Sequence, residues 1–388
     1  MKYQVHFLER QQDFERVMRE AANEPWIGFD TEFVGEKTFV PVLCLIQIVT
    51  PKDIFLIDTL RIQDLSSFLK IVEQPETLKI THAGDNDYRL LHTLYGTVPN
   101  NTFDTQIAAG FVGYNYPAGF AKIVERELRV SLAKSHTVAD WEARPLDPKA
   151  LNYAVEDVKY LPALHEKLTG NLQKRNRLSW AAEENRKWDV PEFYEVNPDK
   201  EFLANEAVHQ LDMREKTFLM RLYRWRISRA MELNVPKESV LQSRHISTVL
   251  RAIKNGPNAF RANRTLSEGV WKRNIDAWQA LWNTKVTEAE KAFLHTLGKP
   301  RPDDPEHDWT MELLYHFVKK QCLEHEISAA LLLPKGEFNK LKAGSEDFDH
   351  ALLTGWRAEL LGADLVRWLL RGKNISIAWE AGNCKLTM

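Results

Sequence analysis

The segment WIGFDTE, residues 26–32, places two carboxylates at the end of a short apolar run. The run Trp26–Phe29 is typical of a buried strand. On a strand, residues i and i+2 point to the same side, so Asp30 and Glu32 can reach one cation together. Taken alone, a D-x-E pattern is a weak signal, because acidic residues often end strands.

The residues that follow predict an α/β domain. Two further strands are predicted at Leu43–Val49 and Ile54–Ile57, and the short connections favour an antiparallel meander. Apolar periodicity then predicts a short strand and five helices. The strand is Leu78–Thr81, and the helices are Leu65–Val72, Asp87–Leu94, Thr105–Val112, Gly119–Leu128 and Pro148–Leu168. This order, in which strands come first and then alternate with helices, predicts an α/β layer domain that ends near residue 175.

A second pair of candidate residues lies on the predicted helix Pro148–Leu168. Tyr153 and Asp157 are four residues apart and therefore share one helical face. This pair suits a metal ligand beside a group that orients an attacking water. A surface aspartate next to a tyrosine at the edge of the core would show the same spacing.

A third carboxylate comes from HAGDND, residues 82–87, which follows the predicted strand Leu78–Thr81. Asp85 and Asp87 are both candidates, and either could cap the following helix. Spacing alone does not decide between them. His82 is expected to be structural.

Carboxylates from three separated segments at the edge of an apolar core repel one another and lose hydration, so a divalent cation is the expected partner. The pattern suits a two-metal phosphodiesterase. Neither a disulfide framework nor a zinc site is indicated, because Cys44, Cys322 and Cys384 are far apart and form no C-x-x-C motif. Cys44 is expected in the core.

Charge is distributed unevenly along the 388 residues. The net charge of −2 divides into −6 for residues 1–200, +7 for 201–300 and −3 for 301–388. Four arginines, Arg221, Arg224, Arg226 and Arg229, lie within about two helical turns. This pattern favours a polyanion-binding surface over a merely solvated helix face.

The region beyond residue 200 contains an internal repeat at an offset of 92 residues. The pairs Leu222 and Leu314, Val240 and Leu332, and Val249 and Leu341 are among eight ungapped matches, which indicate a duplicated helical domain. The first copy is basic and the second is acidic, so the two copies are not expected to share one role.

Five motifs in a fixed order support a family resemblance. They are D-T-E at 30–32, H-A-G-x-x-D at 82–87, D-T-Q at 104–106, D-W-x-x-R-P-L at 140–146 and Y-x-x-x-D at 153–157. This order resembles the DEDD exonucleases of the tyrosine subtype, and most closely the bacterial ribonuclease D family. The repeated tail resembles the helical nucleic-acid-binding (HRDC) domain that this family shares with RecQ-type helicases.

The resemblance implies a domain plan. Residues 1–175 would form a ribonuclease H-like α/β exonuclease domain, with a mixed sheet and flanking helices. A linker at 176–204 would lead to two all-α HRDC bundles, at 205–290 and 291–388.

The resemblance also implies 3′→5′ hydrolysis of RNA with two divalent ions, Mg²⁺ or Mn²⁺. In the family the second-motif aspartate lies five residues after the histidine, which selects Asp87 over Asp85. By analogy Asp30 bridges both ions, Glu32 and Asp157 complete the first, and Asp87 serves the second through water. Tyr153 would position the nucleophilic water. All-oxygen ligands suit Mg²⁺ or Mn²⁺ better than zinc.

The expected substrate is RNA, in particular the 3′ ends of precursor tRNA. Arg221, Arg224 and Arg229 are candidate RNA contacts on the basic repeat, and Arg144 is a candidate in the loop before Tyr153. We expect a monomeric cytoplasmic enzyme, because no apolar run approaches the roughly 20 residues that a bilayer needs.

Two alternatives remain open. One is a catalytically silent RNA-binding scaffold, although such a protein has no physical reason to retain five interacting polar groups. The other is a DNA-directed 3′→5′ exonuclease, because no motif reveals a contact to the 2′-hydroxyl.

Overall fold

The computed structural model describes residues 3–132, 139–195, 197–262, 265–297, 304–342, 352, 354–362, 376–380 and 383–387. These residues fall into two compact units. The first combines the described residues of 1–33, 43–194 and 303–388, and the second those of 34–42 and 195–302. None of the described helices is both long enough and apolar enough to cross a membrane.

The amino-terminal region alternates strands with helices. Its elements are β1 (Val5–Leu8), α1 (Gln11–Ala21), β2 (Trp26–Val34), β3 (Val42–Val49), β4 (Ile54–Asp58), α2 (Ser66–Glu73), β5 (Leu78–Thr81), α3 (Asp85–Tyr95), β6 (Thr102–Asp104), α4 (Thr105–Gly110), α5 (Phe120–Leu128), α6 (Pro148–Lys159), α7 (Leu161–Lys174) and α8 (Leu178–Asn185).

The six strands form one mixed sheet in the order β1-β4-β3-β2-β5-β6. β3 and β4 are antiparallel, whereas β1 is parallel to β4, and β2, β5 and β6 are parallel to one another. Helices cover both faces. Phe29 of β2 packs on Tyr88 of α3, while a β-carbon at the neighbouring Gly28 would lie 3.2 Å from Leu161 of α7. The predicted mixed sheet with flanking helices is therefore confirmed.

Two strands of the sheet, β1 and β6, were not predicted, because neither has a clear signal in the sequence. β1 lies at the edge of the sheet, and Leu8 is its one buried residue. A strand that buries so little needs no alternation of apolar and polar residues, so its sequence gives no strand signal. β6 has only three residues. Both join the sheet through parallel pairing, which depends on long-range contacts rather than on a local turn signal.

The predicted helix Pro148–Leu168 is wrong as a single element. α6 ends at Lys159, and α7 begins at Leu161 after a break at Tyr160. Pro162 explains the break, because its ring removes the backbone N–H that a continuous helix would use. Tyr153 and Asp157 nevertheless stay together on α6.

The second unit is helical. It contains α9 (Lys200–Leu203), α10 (Met213–Leu233), α11 (Lys237–Val240), α12 (Ile246–Asn255), α13 (Pro257–Ala262), α14 (Glu268–Asn283) and α15 (Glu288–His295). Trp278 is fully buried at the centre, with Trp225, Trp271 and Trp282 packed around the same core. Most tryptophans of the basic region therefore belong to the core.

The predicted repeat appears in the helices themselves. The carboxy-terminal part of the first unit contains α16 (Pro305–Glu324), α17 (Ala329–Leu332), α18 (Lys335–Lys342) and an antiparallel pair, β7 (Ser376–Glu380) and β8 (Asn383–Thr387). α16 and α17 begin 92 residues after α10 and α11, and Asp212 and Asp304 cap α10 and α16 at equivalent positions. Leu314 and Leu332 are buried, as are Leu222 and Val240.

The second copy packs within the first unit rather than forming a separate body. Ser328 donates its backbone N–H to the carbonyl of Gly110 at 2.8 Å, and its hydroxyl accepts from Tyr116 N–H at 2.8 Å. Residues of the predicted linker 176–204 are largely ordered as α8, α9 and the short helical turns Arg186–Asp189 and Pro191–Tyr194. The predicted domain bounds themselves stay a proposal.

Candidate active site

Three predicted carboxylates meet where β2 and α6 come together. One ligand oxygen from each of Asp30, Glu32 and Asp157 lies within 4.8 Å of the other two. The alternation of β2 brings the first two to one side of the sheet, and α6 presents the third. α6 is fixed at its start by Asp147, whose side chain accepts from Lys149 N–H at 2.7 Å.

The acidic cluster resists ionisation. Burial raises the pKa of Asp30 well above its ordinary value, and the charges of Asp87, Asp157 and Glu32 add to this effect. Burial likewise raises the pKa of Glu32 to about 8 and that of Asp157 to about 7. Among the described residues, no lysine, arginine or histidine forms an ion pair with these carboxylates. The cluster therefore lacks a positive partner within the described chain.

Asp87 lies beside this cluster and is held by Thr31. The backbone N–H of Thr31 donates to Oδ1 of Asp87 at 3.1 Å, and the Thr31 hydroxyl donates to the same oxygen. Burial raises the pKa of Asp87 to about 6, while these hydrogen bonds lower it. Asp87 is not one of the three residues within mutual ligand distance, but its charge raises the pKa of each of them.

Asp85 occupies a different environment. It is the first residue of α3, its side chain is half exposed, and it binds Arg89 at 2.7 Å. It does not cap the helix, because the cap residue is Gly84 and no side chain makes a capping hydrogen bond there. Geometry therefore favours Asp87 as the active-site carboxylate.

We predict that Asp87→Asn lowers turnover about 10- to 100-fold, the range for a group that orients metal ligands. Asp85→Asn is the matched control and should change turnover by less than about twofold, because a half-exposed ion pair contributes little. Steady-state rates on single-stranded RNA at saturating Mg²⁺ measure both. Equal losses, or a larger loss for Asp85→Asn, would show that the wrong carboxylate has been chosen.

Tyr153 lies one helical turn before Asp157 on α6, and its phenol is close enough to the Asp157 carboxylate to lower the pKa of that carboxylate. Burial raises the pKa of Tyr153 further above its ordinary value, so the phenol stays protonated at neutral pH. Trp141 is buried and packs against the phenol ring at a centroid distance of 6.2 Å. The phenol oxygen keeps lone pairs with which it can accept a hydrogen bond from a water molecule.

Asp104 organises the turn before α3, a role that its sequence neighbourhood alone does not reveal. Its carboxylate accepts from the backbone N–H groups of Ala83 at 3.0 Å, Gly84 at 2.9 Å and Gln106 at 2.7 Å. Gly84 is required there, because a β-carbon would lie 2.6 Å from the Thr81 hydroxyl. The D-T-Q motif marked Asp104 in the sequence without revealing this role. Through these hydrogen bonds, Asp104 fixes the start of the helix that carries Asp87.

His82 has the structural role expected for it. Its Nδ1 lies 2.9 Å from the Thr105 hydroxyl, its ring packs on Phe120, and burial lowers its pKa.

The cluster fits divalent cations. Its donors are all carboxylate oxygens, the set that Mg²⁺ and Mn²⁺ prefer. Oδ2 of Asp157 is buried without a hydrogen-bond partner among the described residues, which leaves a lone pair for a ligand. Asp30, Glu32 and Asp157 would hold such an ion, with Asp87 beside them.

Two of the predicted RNA contacts have partners within the fold, and the first is Arg144. It forms a bidentate pair with the buried Asp58, at 2.7 Å for both bonds, and also donates to the carbonyls of Trp141, Ala143 and Cys44. These contacts account for the position of Arg144 without RNA.

Arg221 is engaged in the same way inside the helical unit. Its guanidinium is 11% exposed, pairs with Glu290 and donates to three carbonyls, those of Leu281, Thr284 and Lys285. These contacts account for the position of Arg221 without RNA, and its role as an RNA contact stays a prediction. Charge density along the sequence did not reveal that a partner 69 residues away neutralises it.

Comparisons with known proteins agree with this geometry. Residues 5–173 match the model of a 3′-5′ exonuclease family. Ribonuclease D from Nitrobacter hamburgensis is 28% identical over 364 residues, which cover 93% of this chain and 94% of that protein. Ribonuclease D from Xanthomonas oryzae is 32% identical over 261 residues, which cover 65% of this chain and 72% of that protein. The chain belongs to the ribonuclease D family.

The crystal structure of Escherichia coli RNase D, described as an exoribonuclease involved in structured RNA processing, has the same architecture. It superposes with a TM-score of 0.80 at 28% identity, and the match covers 96% of this chain and all of that one. As a ribonuclease D family member with an intact carboxylate cluster, this protein is a metal-dependent 3′→5′ exoribonuclease.

Proposed function

We propose that this exoribonuclease trims the 3′ ends of precursor tRNA and other stable RNAs, as a cytoplasmic monomer that uses two Mg²⁺ or Mn²⁺ ions. The observation that carries the proposal is the meeting of Asp30, Glu32 and Asp157 within ligand distance, one helical turn from Tyr153. The similarity to an RNase D described as acting on structured RNA supports the substrate class.

The roles of the individual residues follow from their contacts. Asp30, Glu32 and Asp157 would hold the ions, and Asp87 would complete the site from its anchor on Thr31. When bound, two divalent cations stabilise the charge on the attacking and departing oxygens of a phosphodiester. Tyr153 would donate a hydrogen bond to Asp157 and accept one from the attacking water, which it would thereby orient.

The helical repeats are proposed to be HRDC domains, of which the basic first copy binds RNA. In the second unit, the Arg229 side chain is 39% exposed, and among the described residues its one ion pair is with Glu232 on the same helix, itself 65% exposed. Arg251 is also exposed. Arg224 is exposed as well, but it makes a bidentate pair with the buried Asp199. Arg229 and Arg251 can therefore bind RNA phosphates in place of water, and the folded structure of the helical unit depends little on their side chains.

We predict that the double variant Arg229→Gln, Arg251→Gln flattens the salt dependence of RNA binding. Each phosphate interaction that the substitutions remove should reduce the slope of log K against log salt by about 0.7. Rates on short oligomers at saturating concentration should stay unchanged. Binding titrations with structured RNA between low and moderate salt measure the slope.

Arg221→Gln provides the contrasting variant. It removes a mostly buried ion pair, so it should lower the unfolding temperature of the helical unit. An unchanged slope and affinity in the Arg229, Arg251 variant would place the RNA contacts elsewhere.

The substrate proposal is tested with a 5′-labelled precursor tRNA that carries a 3′ trailer. The expected result is removal of the trailer in Mg²⁺ or Mn²⁺ and a pause near the mature end. A matched single-stranded DNA is the control. Equal rates on DNA would favour the DNA-directed alternative, and failure to shorten the trailer while short RNA is degraded would reject precursor tRNA as the substrate.

A further inference from the structure

A fully buried carboxamide lies in the middle of β3. Gln47 is 0% exposed, and its neighbours Leu45, Ile46, Ile48 and Val49 are all apolar and buried. Neither Oε1 nor Nε2 has a hydrogen-bond partner among the described residues. Burying an amide without partners is unfavourable, and such groups are rare in native structures. The residue therefore requires an explanation beyond packing.

The face on which Gln47 lies follows from its neighbour Val49. A β-carbon at Gly28 would lie 2.7 Å from Cγ1 of Val49, so the side chain of Val49 lies beside Gly28 on the α7 side of the sheet. Gln47 is two residues from Val49 and shares this face. Asp30 is two residues from Gly28 and shares it as well.

The direction of the strands places Gln47 next to Asp30. β2 and β3 are neighbours in the sheet, and seven residues, 35–41, connect them. A parallel pair would need a crossover of about a dozen residues or more, so the two strands run antiparallel. The step from Gly28 to Asp30 then runs alongside the step from Val49 to Gln47. Adjacent strands are about 4.8 Å apart, which brings the carboxamide to the edge of the acidic cluster.

A second unpartnered atom lies on the same face. Oδ2 of Asp157 is buried without a hydrogen-bond partner among the described residues, and Asp157 shares its ligand cluster with Asp30. A carboxylate oxygen has more than one lone pair, so it can accept from an amide and still bind a cation. Gln47 supplies two N–H donors to a cluster that has acceptors only.

We propose that Gln47 is a positioning residue for the exonuclease reaction, whose carboxamide donates a hydrogen bond to one buried water that in turn donates to Asp157. Buried waters typically bridge polar groups that have no other partner. A neutral donor orients the carboxylate without cancelling the negative charge that a divalent cation requires, whereas a lysine or arginine would compete with that cation. The inference rests on the metal-dependent function proposed above.

The test compares Gln47→Leu with Gln47→Met, which both fill the space without a hydrogen-bonding group, and with Ile46→Val as a packing control on the other face of β3. Mg²⁺ binding is measured by calorimetry and by the metal-induced rise in unfolding temperature. Turnover and KM for single-stranded RNA are measured at graded Mg²⁺. The native protein in the same assays tests the proposed function itself.

The expected result is a metal affinity about 10- to 100-fold weaker in both Gln47 variants, the range for groups that orient metal ligands. Their metal-free unfolding temperature should be unchanged or higher, and KM for RNA should change by less than about twofold. Ile46→Val should bind metal as the native protein does. If the native protein binds Mg²⁺ and both Gln47 variants bind it equally well, the inference is overturned while the proposed function stands.

Two other outcomes would also overturn it. Failure of both Gln47 variants to fold would show that the carboxamide serves the fold rather than the site. A loss of metal affinity matched by Ile46→Val would assign the effect to packing. Absence of Mg²⁺-dependent turnover in the native protein would instead reject the proposed function.

Discussion

Asp30→Asn is expected to abolish RNA degradation at any Mg²⁺ concentration. One ligand oxygen of Asp30 lies within 4.8 Å of a ligand oxygen of Glu32 on its own strand and of Asp157 on α6, so the substitution removes one of three carboxylates that would share a cation. A drop of about 10³-fold or more is expected when several kcal/mol of charge stabilisation is lost from the transition state. Asp157→Asn should behave in the same way. Rates on 5′-labelled RNA at saturating metal measure both variants.

The same substitution should stabilise the metal-free protein, and only at higher pH. Burial and neighbouring charges raise the pKa of Asp30 in the folded state, so the folded protein holds protons that the unfolded chain has released. This raised pKa has no effect on stability below the unfolded pKa of about 4, and it lowers the unfolding free energy increasingly as pH rises above that value. The carboxamide that replaces the Asp30 carboxylate has no such charge.

Thermal unfolding in EDTA at pH 5 and pH 8 measures this effect, with native protein and the Asp30→Asn variant side by side. The variant should gain in unfolding temperature over the native protein mainly at pH 8. A variant that is destabilised at pH 8, or that still degrades RNA at near-native rates, would contradict the assignment of Asp30.

Tyr153→Phe is expected to keep the fold, metal binding and RNA binding but to lose roughly 10²–10⁴ in turnover, the range for a group that aligns or deprotonates a nucleophile. The phenol is close enough to Asp157 to lower the pKa of that carboxylate, while its ring packs on Trp141 and needs no hydroxyl to do so. KM for RNA and the unfolding temperature should stay close to native values.

Turnover, KM and unfolding temperature together distinguish the two roles of Tyr153. A lower unfolding temperature with a native rate would show that the phenol only supports the core edge. A rise in KM with unchanged turnover would assign it to RNA binding instead.

The clustering of the candidate ligand residues was predictable because these residues follow local periodicities. Strand alternation pairs Asp30 with Glu32, and helical spacing pairs Tyr153 with Asp157, so each pair is visible without tertiary structure. Asp87 was different, since Asp85 fits the same spacing and only the family motif distinguished them. The structure distinguishes the two residues physically. Asp87 is buried and accepts a hydrogen bond from Thr31, whereas Asp85 is half exposed and pairs with Arg89.

Residues whose partners are remote in sequence were not predictable in this way. In the sequence, Arg221 belongs to a run of closely spaced arginines that suggests a phosphate-binding surface. In the fold, its charge is paired with that of Glu290. Arg144 is tied to Asp58, 86 residues away. The break between α6 and α7 had a local signal in Pro162, but the apolar spacing on either side masked it.

The central claim is that the carboxylate cluster is a divalent-metal site that drives 3′→5′ degradation of RNA. The most direct measurement follows 5′-labelled single-stranded RNA with native protein and with Asp30→Asn, in graded Mg²⁺ and in EDTA. The native protein should shorten the RNA stepwise from the 3′ end only when Mg²⁺ or Mn²⁺ is present, and Asp30→Asn should not shorten it. Shortening in EDTA, or equal shortening by Asp30→Asn, would contradict it.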